Sequence, residues 1–435
     1  MKPITLFWFR RDLRLYDNAG LYHALKSGCA VQPIFIFDTT ILNALKDKTD
    51  KRVAFIHRAL LNLQRDLSTF GATLDVRYGE PLAVFQELQR DYQIEAVYAN
   101  RDYEPAARAR DKAVYDFLVT HKISFRAFKD HVIFEKNEVI KNDGAPYTVF
   151  TPYSRKWQTQ LDDFYLRPYP TLSYAQHFHP QPEKPIPSLN EIGFTEPNDV
   201  FPESDIDFDI IRHYSERRDF PAQNGTSKLG VHLRFGTLSI RELAAHARAI
   251  NATFLSELIW RDFYQMIIWH FPQAADSAFK PQYNTIEWRN DVDEFARWCN
   301  GQTGYPIVDA GMRELNATGF MHNRVRMIVA SFLTKHLLID WRWGEAYFAE
   351  KLLDFDLAAN NGGWQWAAGS GCDAAPYFRV FNPYLQTEKF DAQNDYIRRW
   401  VPEFQQPDYP PPIVDHKFAR ERCLAVYAQA LKSQV

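Results

Sequence analysis

A short segment near the carboxyl end of the chain combines side chains that could form a binding site. Two carboxylates, two amides, two glycines and two indoles occur in it: Asp354, Asp356, Asn360, Asn361, Gly362, Gly363, Trp364 and Trp366. Glycine allows close approach of a ligand to the backbone, and indole offers a flat apolar surface that can also carry an electron hole. Because tryptophan and asparagine also occur in cores, the alternative is a buried aromatic turn with satisfied polar groups.

A second polar group occurs in the run Thr226-Ser227-Lys228-Leu229-Gly230, where two hydroxyls and a cation precede a glycine. Hydroxyls and backbone N–H groups are good phosphate ligands, particularly near the start of a helix. A Thr-Ser pair also caps helices. The run by itself therefore predicts either a phosphate site or an ordinary helix cap.

Helical spacing brings a third group together. In a helix predicted from Leu255 to His270, the side chains of Glu257, Trp260 and Arg261 lie three and four residues apart and share one face. A carboxylate, an indole and a guanidinium on one face could line a site. They could equally form a surface patch whose apolar parts lie flat while the charged ends remain in water.

The elements that must position these groups differ between the two halves of the chain. Up to residue 128, amphipathic stretches separate short apolar runs at 4–9, 31–37, 74–78, 96–99 and 125–128. Short apolar strands separated by helices predict a parallel, doubly wound sheet. No GxGxxG follows the first run, so the usual dinucleotide fingerprint is missing. The charged turn Arg10-Arg11-Asp12-Leu13-Arg14 stands there instead and predicts a structural cluster of ion pairs.

Prolines are concentrated between Pro168 and Pro202, where apolar periodicity is weak. Proline denies the backbone the hydrogen bonds of helices and sheets, so this stretch predicts a surface linker. Beyond it the pattern is mostly helical. We therefore predict an α/β domain at 1–130, a linker at 131–204 and a helical domain at 205–435.

Two helices of the second domain can be delimited from their ends. Gly304-Tyr305-Pro306 opens one helix, and Gly319 suits its C-terminal stop. The next helix, predicted over 321–338, is apolar enough to be nearly all buried. Asn323 and Met327, four residues apart in it, share a face.

Composition excludes several classes of protein. The 435 residues carry a net charge of -3 and are 46% hydrophobic and 15% aromatic, with 11 tryptophans. DNA binding would therefore need a local basic patch. The chain lacks a long apolar span and a signal-peptide pattern, which favours the cytoplasm. The four cysteines fit no zinc, iron–sulfur or disulfide pattern, so we predict no metal.

The chain resembles the photolyase/cryptochrome family, most closely its class I cyclobutane pyrimidine dimer photolyases. The resemblance extends from Phe7-Trp8-Phe9-Arg10-Arg11-Asp12-Leu13-Arg14, through the run that begins at Asp354, to Pro412-Ile413-Val414-Asp415-His416-Lys417. It implies an N-terminal Rossmann-like α/β antenna domain and an all-α C-terminal FAD-binding domain. It also implies light-dependent DNA repair, in which photoexcited FADH⁻ transfers an electron that splits the pyrimidine dimer.

The resemblance assigns the cofactor site residue by residue. Residues matching the family's FAD ligands are Tyr214, Thr226, Ser227, Lys228, Leu229, Gly230, Arg261, Arg326, Asp354, Asp356 and Asn360. An Arg326–Asp354 ion pair is expected near the flavin. Many members carry serine in place of Gly230, and often tryptophan in place of Phe254. Asn360 matches the residue beside flavin N5, where an amide is the photolyase choice; plant cryptochromes carry Asp and many animal cryptochromes carry Cys.

The resemblance also implies roles in repair. Glu257, Asn323 and Asn360 match catalytic residues, and the dimer is expected to contact Glu257, Trp260, Asn323, Met327 and Trp366. Trp364, Trp341 and Trp288 match a chain of three tryptophans that leads from the flavin to the surface. The protein is expected to be a monomer whose partner is damaged DNA. Arg218, Arg324 and Arg379 are expected to contact the DNA phosphates.

Two other functions remain open at this point. One is a blue-light receptor of the cryptochrome type, against which Asn360 argues; the other is a light-independent flavin oxidoreductase, against which the missing nicotinamide fingerprint argues. The antenna chromophore is also open. Folate-binding members have Asn-Glu where this chain has Ala106-Ala107, so a deazaflavin, another flavin or no antenna is equally compatible with the sequence.

Overall fold

The computed structural model describes residues 2–198 and 201–432. Met1, residues 199–200 of the predicted linker and residues 433–435 of the predicted helical domain lie outside the described residues. The chain forms two compact units that alternate along the sequence. Unit 1 contains residues 1–138, 158–206 and 228–249; unit 2 contains 139–157, 207–227 and 250–435. The segment predicted as a linker is thus divided between the two units.

Unit 1 is built on a five-stranded, wholly parallel sheet in the order β3-β2-β1-β4-β5. The strands are β1 Ile4–Phe9, β2 Ala30–Asp38, β3 Asp75–Gly79, β4 Ile94–Asn100 and β5 Ser124–Phe128. The central strand β1 is buried along its whole length. A strand covered on both faces needs a continuous apolar run rather than an alternating one. The predicted α/β domain with a doubly wound parallel sheet is confirmed.

Helices and the charged turn complete unit 1. The helices, including one 3₁₀ segment at Thr171–His177, are Ala19–Lys26, Thr39–Leu42, Lys51–Ser68, Pro81–Asp91, Pro105–Thr120, Asp163–Leu166, Thr171–His177, Gly230–Phe235 and Ile240–Ile250. The predicted ion-pair cluster is present. Arg14 and Arg241 each donate to one oxygen of the buried Asp130 carboxylate at 2.8 Å, and Arg241 also donates to Asp17 at 2.8 Å.

The described part of the proline-rich segment lies against this sheet. Phe178 pairs with Val31 of β2, and the Gln181 amide donates to Gln32 at 2.7 Å. Lys184 donates to Asp75 of β3, also at 2.7 Å. Side-chain hydrogen bonds thus add to the limited backbone pairing that the prolines allow.

Unit 2 is largely helical, as predicted. Its helices, including 3₁₀ segments at Pro272–Ala275 and Pro281–Thr285 and a π-helical turn at Phe332–His336, are Phe150–Gln160, Phe208–Arg212, Tyr214–Arg217, Ala252–His270, Pro272–Ala275, Pro281–Thr285, Val292–Cys299, Pro306–Thr318, Asn323–Ser331, Phe332–His336, Trp341–Lys351, Leu357–Ala368, Pro383–Phe390, Asp395–Trp400 and His416–Lys432. No helix among the described residues has the length and apolar character needed to cross a membrane.

Two helix predictions in unit 2 have different outcomes. The helix opened by Pro306 ends at Gly319, which adopts a left-handed conformation with φ of 72°, as the sequence indicated. The single helix predicted over 321–338 is wrong in detail. An α-helix begins at Asn323, and from Phe332 onward it becomes the π-helical turn. Apolar periodicity does not distinguish these two hydrogen-bond patterns, because both keep the segment buried.

Candidate cofactor and substrate site

The Ala252–His270 helix carries the group of Glu257, Trp260 and Arg261. Its start is fixed by Asn251, whose side chain accepts hydrogen bonds from the N–H groups of Thr253 and Phe254. The Glu257 carboxylate accepts a hydrogen bond from Arg218 at 2.6 Å, and both side chains are partly exposed. The structure therefore joins a predicted dimer contact and a predicted phosphate contact in one ion pair.

Tyr214, a predicted cofactor residue, lies beside this pair. The Arg218 guanidinium lies 5.2 Å from the centre of the Tyr214 ring, and Phe254 packs edge-on against that ring at 5.0 Å. Burial, followed by the charge of Glu257, raises the pKa of Tyr214. Tyr214 therefore remains a neutral phenol, able to donate one hydrogen bond to a ligand.

The run Thr226 to Gly230 has an unusual backbone. Thr226 and Ser227 are partly exposed in unit 2. Lys228, in unit 1, has a φ of 53°, which is uncommon for a residue other than glycine. Leu229 is buried, and a six-residue helix begins at Gly230. The two residues that the sequence nominated as phosphate ligands are thus not fully buried.

The Asn323–Ser331 helix carries the predicted pair Asn323 and Met327. The His322 side chain caps it by accepting from the Arg324 N–H, and burial lowers the pKa of His322 to about 4. Asn323 is exposed in the first turn, and Met327 is partly buried. Arg324, predicted to contact phosphate, donates to Asp219 at 2.7 Å. Its guanidinium is therefore already paired.

The expected ion pair between Arg326 and Asp354 is present. Arg326 donates from Nη2 to both carboxylate oxygens of Asp354, at 3.0 and 3.1 Å, and from Nε to the Met321 carbonyl at 2.7 Å. Both side chains remain partly exposed. The pair fixes one positive and one negative charge close together, where a polar edge of a ligand could bind either.

The Leu357–Ala368 helix brings the remaining polar groups together. Asp356 caps it by accepting from the Ala359 N–H at 3.2 Å. Asn360, one turn later, donates through its Nδ2 to the Glu345 carboxyl at 2.8 Å and to the Glu345 carbonyl at 3.1 Å. Burial raises the pKa of Glu345, although its bond to Asn360 acts in the opposite direction. Because Nδ2 is committed to these two acceptors, the side-chain oxygen is the Asn360 atom that remains for a hydrogen bond to a ligand.

A buried amide next to Asp356 tests whether the residues fit FAD. Gln265 donates to both oxygens of Asp356, at 3.0 and 3.1 Å, which fixes the orientation of its amide. Its carbonyl oxygen Oε1 is buried and has no hydrogen-bond partner among the described residues. A buried acceptor without a partner is costly. FAD has hydroxyl and N–H donors that would satisfy it, so the residues fit the cofactor.

A separate cleft in unit 2 encloses about 350 Å³, including its open mouth. Trp366, a predicted dimer contact, lies in its wall, together with Tyr264 and Asp373. Gly362 makes room for Tyr264, because a Cβ at that position would come within 2.3 Å of the tyrosine ring. The resemblance places Arg261 near the flavin. Arg261 lies four residues after Glu257 and four before Gln265, so the three residues share one face of their helix.

The three predicted relay tryptophans differ in burial. Trp364 and Trp341 are each 2% exposed, whereas Trp288 is partly exposed. Gly344 lets the Trp364 ring pack on the Trp341–Lys351 helix, since a Cβ there would lie 2.1 Å from the ring. Trp288 packs edge-on against Tyr427 at 6.1 Å. Trp288 is therefore the most exposed of the three, burial does not separate Trp364 from Trp341, and the relay stays a prediction.

Arg379, the third predicted phosphate contact, is exposed in the loop before Pro383. Its guanidinium lies 5.4 Å from the Phe381 ring, and its carbonyl accepts a hydrogen bond from Lys335 at 2.8 Å. Lys335 is 1% exposed, and burial lowers the pKa of its amine to about 8. A buried amine thus holds the backbone of an exposed arginine that has no ion pair among the described residues.

Sequence reasoning missed four residues at or near this site: Phe150, Gln265, Lys335 and Glu345. Gln265 could have been found, because it continues the four-residue spacing of Glu257 and Arg261. Lys335 could also have been found, as a lone cation inside an apolar run. Phe150 and Glu345 carry no local signal, because only tertiary contacts bring them to the site.

Comparisons with known proteins agree with this arrangement. Residues 5–175 match the family model described as DNA photolyase, and residues 254–407 match that described as FAD binding domain of DNA photolyase. The deoxyribodipyrimidine photo-lyase of Halobacterium salinarum is 39% identical, over 98% of this chain and 99% of the relative.

Two solved structures have the same fold over nearly their whole length. The class III photolyase of Agrobacterium tumefaciens has a TM-score of 0.87 and 34% identity, covering 99% of this chain and 98% of the other. The archaeal photolyase of Sulfolobus tokodaii, solved with two FAD molecules, has a TM-score of 0.83 and 33% identity, covering 98% and 99%. This chain belongs to the photolyase/cryptochrome family.

Proposed function

We propose that this protein is a deoxyribodipyrimidine photo-lyase that repairs cyclobutane pyrimidine dimers in DNA with light and FAD. One observation carries the proposal: the chain is 39% identical, over 98% of its length, to a protein named deoxyribodipyrimidine photo-lyase. The polar groups described above support it, because they include a partly exposed Thr-Ser pair, an Arg–Asp ion pair and an oriented amide.

The chain's own residues would hold the cofactor in defined ways. Thr226 and Ser227 would bind its phosphates, while Arg326 and Asp354 would meet its polar ring edge. Asp356, with Gln265, would meet hydroxyl or N–H donors. When bound in its reduced form, FAD supplies on illumination the electron that opens the cyclobutane ring, and it recovers that electron afterwards.

Asn360 would present its carbonyl oxygen to the cofactor, because Glu345 holds its amide nitrogen. An amide oxygen accepts a hydrogen bond but does not ionise, whereas the carboxyl group that plant cryptochromes carry at this position can gain and lose a proton. This difference supports repair rather than signalling as the function. Trp364, Trp341 and Trp288 would conduct electrons inward from the surface.

The dimer would be extruded from the duplex, since chemistry on stacked bases requires it. Trp260 and Trp366 would provide flat surfaces for it, and Asn323 and Met327 would contact its edges. Glu257 would stabilise charge that develops on the pyrimidine, which is an electrostatic contribution to catalysis. Arg218, Arg324 and Arg379 would contact phosphates, which positions the duplex without reading its sequence.

We also propose that the protein acts as a monomer in the cytoplasm, associated with the nucleoid if the source is bacterial. Any second chromophore would be a flavin or deazaflavin rather than a folate, because Ala106 and Ala107 offer no amide or carboxylate to a pterin. The relative solved with two FAD molecules makes a flavin chemically reasonable in this fold. Extraction and absorption spectroscopy of the purified protein will identify its chromophores.

A repair assay in light and in darkness tests the main proposal. The FAD-loaded, reduced protein is incubated with an oligonucleotide that contains one thymine dimer, and loss of the dimer is measured by chromatography. Repair is expected in light and absent in darkness. Repair in both conditions would indicate a light-independent activity, and no repair in either would support the receptor function.

A further inference from the structure

Phe150 makes a close aromatic contact with a predicted substrate residue. Its ring centre lies 3.6 Å from that of Trp260, and the two planes differ by only 5°. Phe150 is therefore stacked face to face on the indole. Aromatic pairs usually prefer offset or edge-on packing at larger separations, so this parallel arrangement must be imposed by the surroundings.

The surroundings hold Phe150 at both ends of its helix. At the start of Phe150–Gln160, the Phe150 N–H donates to the Asp373 carboxylate at 3.0 Å. Two turns later, the buried Trp157 donates from its indole N–H to Asp262 at 3.0 Å. Because Asp262 belongs to the helix that carries Trp260, the stack is fixed relative to that helix.

The other neighbours of Trp260 leave part of the indole uncovered. Phe263 packs edge-on at 5.6 Å with an angle of 81°, and Tyr264 is tilted by 31° at 5.4 Å. Neither ring lies parallel to the indole, and Trp260 remains partly exposed. The residue thus has one face backed by Phe150 and further surface available to a ligand.

We propose that Phe150 is a positioning residue that fixes the plane of Trp260 for stacking of the flipped pyrimidine dimer. This inference rests on the proposed function and extends it to a residue that lies within the predicted linker, 131–204. An indole held in one orientation before binding loses less rotational freedom when the dimer stacks on it. Support from a neighbouring side chain is the usual means of such preorganisation.

The test compares three variants of the FAD-loaded protein in the dark. Phe150→Tyr keeps the flat ring, Phe150→Leu keeps apolar bulk without it, and Tyr153→Phe is a control on the same helix. Dissociation constants are measured for a thymine-dimer oligonucleotide and for the same sequence undamaged. Should Phe150→Leu not fold, as judged by thermal unfolding and FAD content, Phe150→Met takes its place.

Phe150→Leu is expected to weaken binding of dimer DNA by about two- to tenfold, the range that one aromatic pair contributes. Binding of undamaged DNA and FAD content should stay unchanged, and both Phe150→Tyr and Tyr153→Phe should match wild type. Tighter binding of dimer DNA would overturn the proposal by showing that Phe150 occupies the dimer's place. The proposal would also be overturned if Phe150→Leu bound dimer DNA as tightly as wild type, or if it bound both DNAs more weakly by the same factor.

The outcome can be separated from failure of the proposed function. If wild-type protein does not distinguish dimer DNA from undamaged DNA, the photo-lyase proposal itself fails, whatever Phe150 does. If wild type distinguishes them and Phe150→Leu does so equally well, only the role of Phe150 fails.

Discussion

Unit 1 buries the Asp130 carboxylate in a charged cluster, whereas unit 2 buries His322 and His336 in neutral form. In unit 1, burial alone would raise the pKa of Asp130, but Arg14 and Arg241 outweigh it and lower that pKa to about 2. In unit 2, burial lowers the pKa of His322 to about 4 and that of His336 to about 3. The permanent ion pairs of Asp130 therefore serve to stabilise the fold of unit 1.

The difference has a chemical meaning for the site. Arg218, Arg324 and Arg326 are each paired with a carboxylate and partly exposed. His322, which is buried near these groups, stays neutral at physiological pH and so adds no charge of its own. The local field then depends on pairs that a ligand can reach. A buried charge, by contrast, needs permanent partners, as Asp130 has in unit 1.

Removing the central carboxylate of unit 1 should have the largest effect. Asp130→Asn leaves Arg14 and Arg241 buried beside a neutral amide, and breaking a buried pair costs about 3–5 kcal/mol. The free energy of unfolding is measured by denaturant titration. The control is Asp163→Asn, whose fully exposed side chain pairs with Arg248; exposed pairs contribute about 0–1 kcal/mol. Equal losses in the two variants would contradict the comparison.

As pH falls, the contribution of His322 should be lost before that of Asp130. A histidine whose folded pKa is depressed contributes stability that is present above the unfolded pKa of 6.5 and is lost as pH falls through the folded value, about 4 for His322. The loss amounts to about 3 kcal/mol over that window, at about 1.4 kcal/mol per pKa unit. Asp130 follows the same sign at lower pH, because its contribution is lost only as pH falls from about 4 through about 2.

His322→Asn isolates this effect. Asparagine is a good helix cap and does not titrate, so the Asn323–Ser331 helix should remain while part of the acid sensitivity disappears. Urea unfolding followed by tryptophan fluorescence between pH 7 and 4 reports unit 2, which contains most of the 11 tryptophans. A stability loss as steep in His322→Asn as in wild type would assign the acid sensitivity to another group.

The two units also differ in how far their sequences predicted them. Strand β1 was predicted at its exact bounds, because a strand buried on both faces must be continuously apolar. Gly319 marked a helix end through its left-handed backbone. The Arg326–Asp354 contact was anticipated from the family resemblance rather than from spacing. The Phe150–Trp260 stack was not predicted, because it joins segments distant in sequence.

A third prediction concerns the ion pair of Glu257 and Arg218. Glu257→Ala should retain FAD and lower the repair yield per absorbed photon severalfold, because a hydrogen bond to a charged group contributes roughly 1.5–3 kcal/mol. Undamaged DNA should bind no more weakly, since Arg218 is then released for a phosphate. Quantum yield on a thymine-dimer oligonucleotide, with pre-reduced flavin, measures the effect. Glu216→Ala, which removes an exposed carboxylate, is the control.

Equal yields in Glu257→Ala and wild type would remove the assigned role of Glu257. Zero yield in both would instead remove the photo-lyase proposal. If Glu257→Ala lost as much folding stability as Asp130→Asn, the Glu257–Arg218 pair would stabilise the fold as the Asp130 cluster does, which would contradict the comparison.

The smallest expected effect separates the exposed arginines of unit 2 from one another. Arg379 has no ion pair among the described residues, whereas Arg324 must release Asp219 before it can bind a phosphate. Arg379→Ala should therefore weaken binding to all DNA sequences and lower the slope of log K against log salt by about one unit. Arg324→Ala should lower that slope by less, because its phosphate contact replaces an existing protein contact rather than a solvated charge. Titrations of a fluorescent duplex between 50 and 200 mM salt, values within the range over which phosphate contacts are resolved, measure both slopes. The control is Arg398→Ala, an exposed arginine with no predicted phosphate contact.

Equal slope changes for Arg379→Ala and Arg324→Ala would show that pairing with Asp219 does not limit access to phosphate. An unchanged slope for Arg379→Ala would mean that this arginine faces away from the DNA.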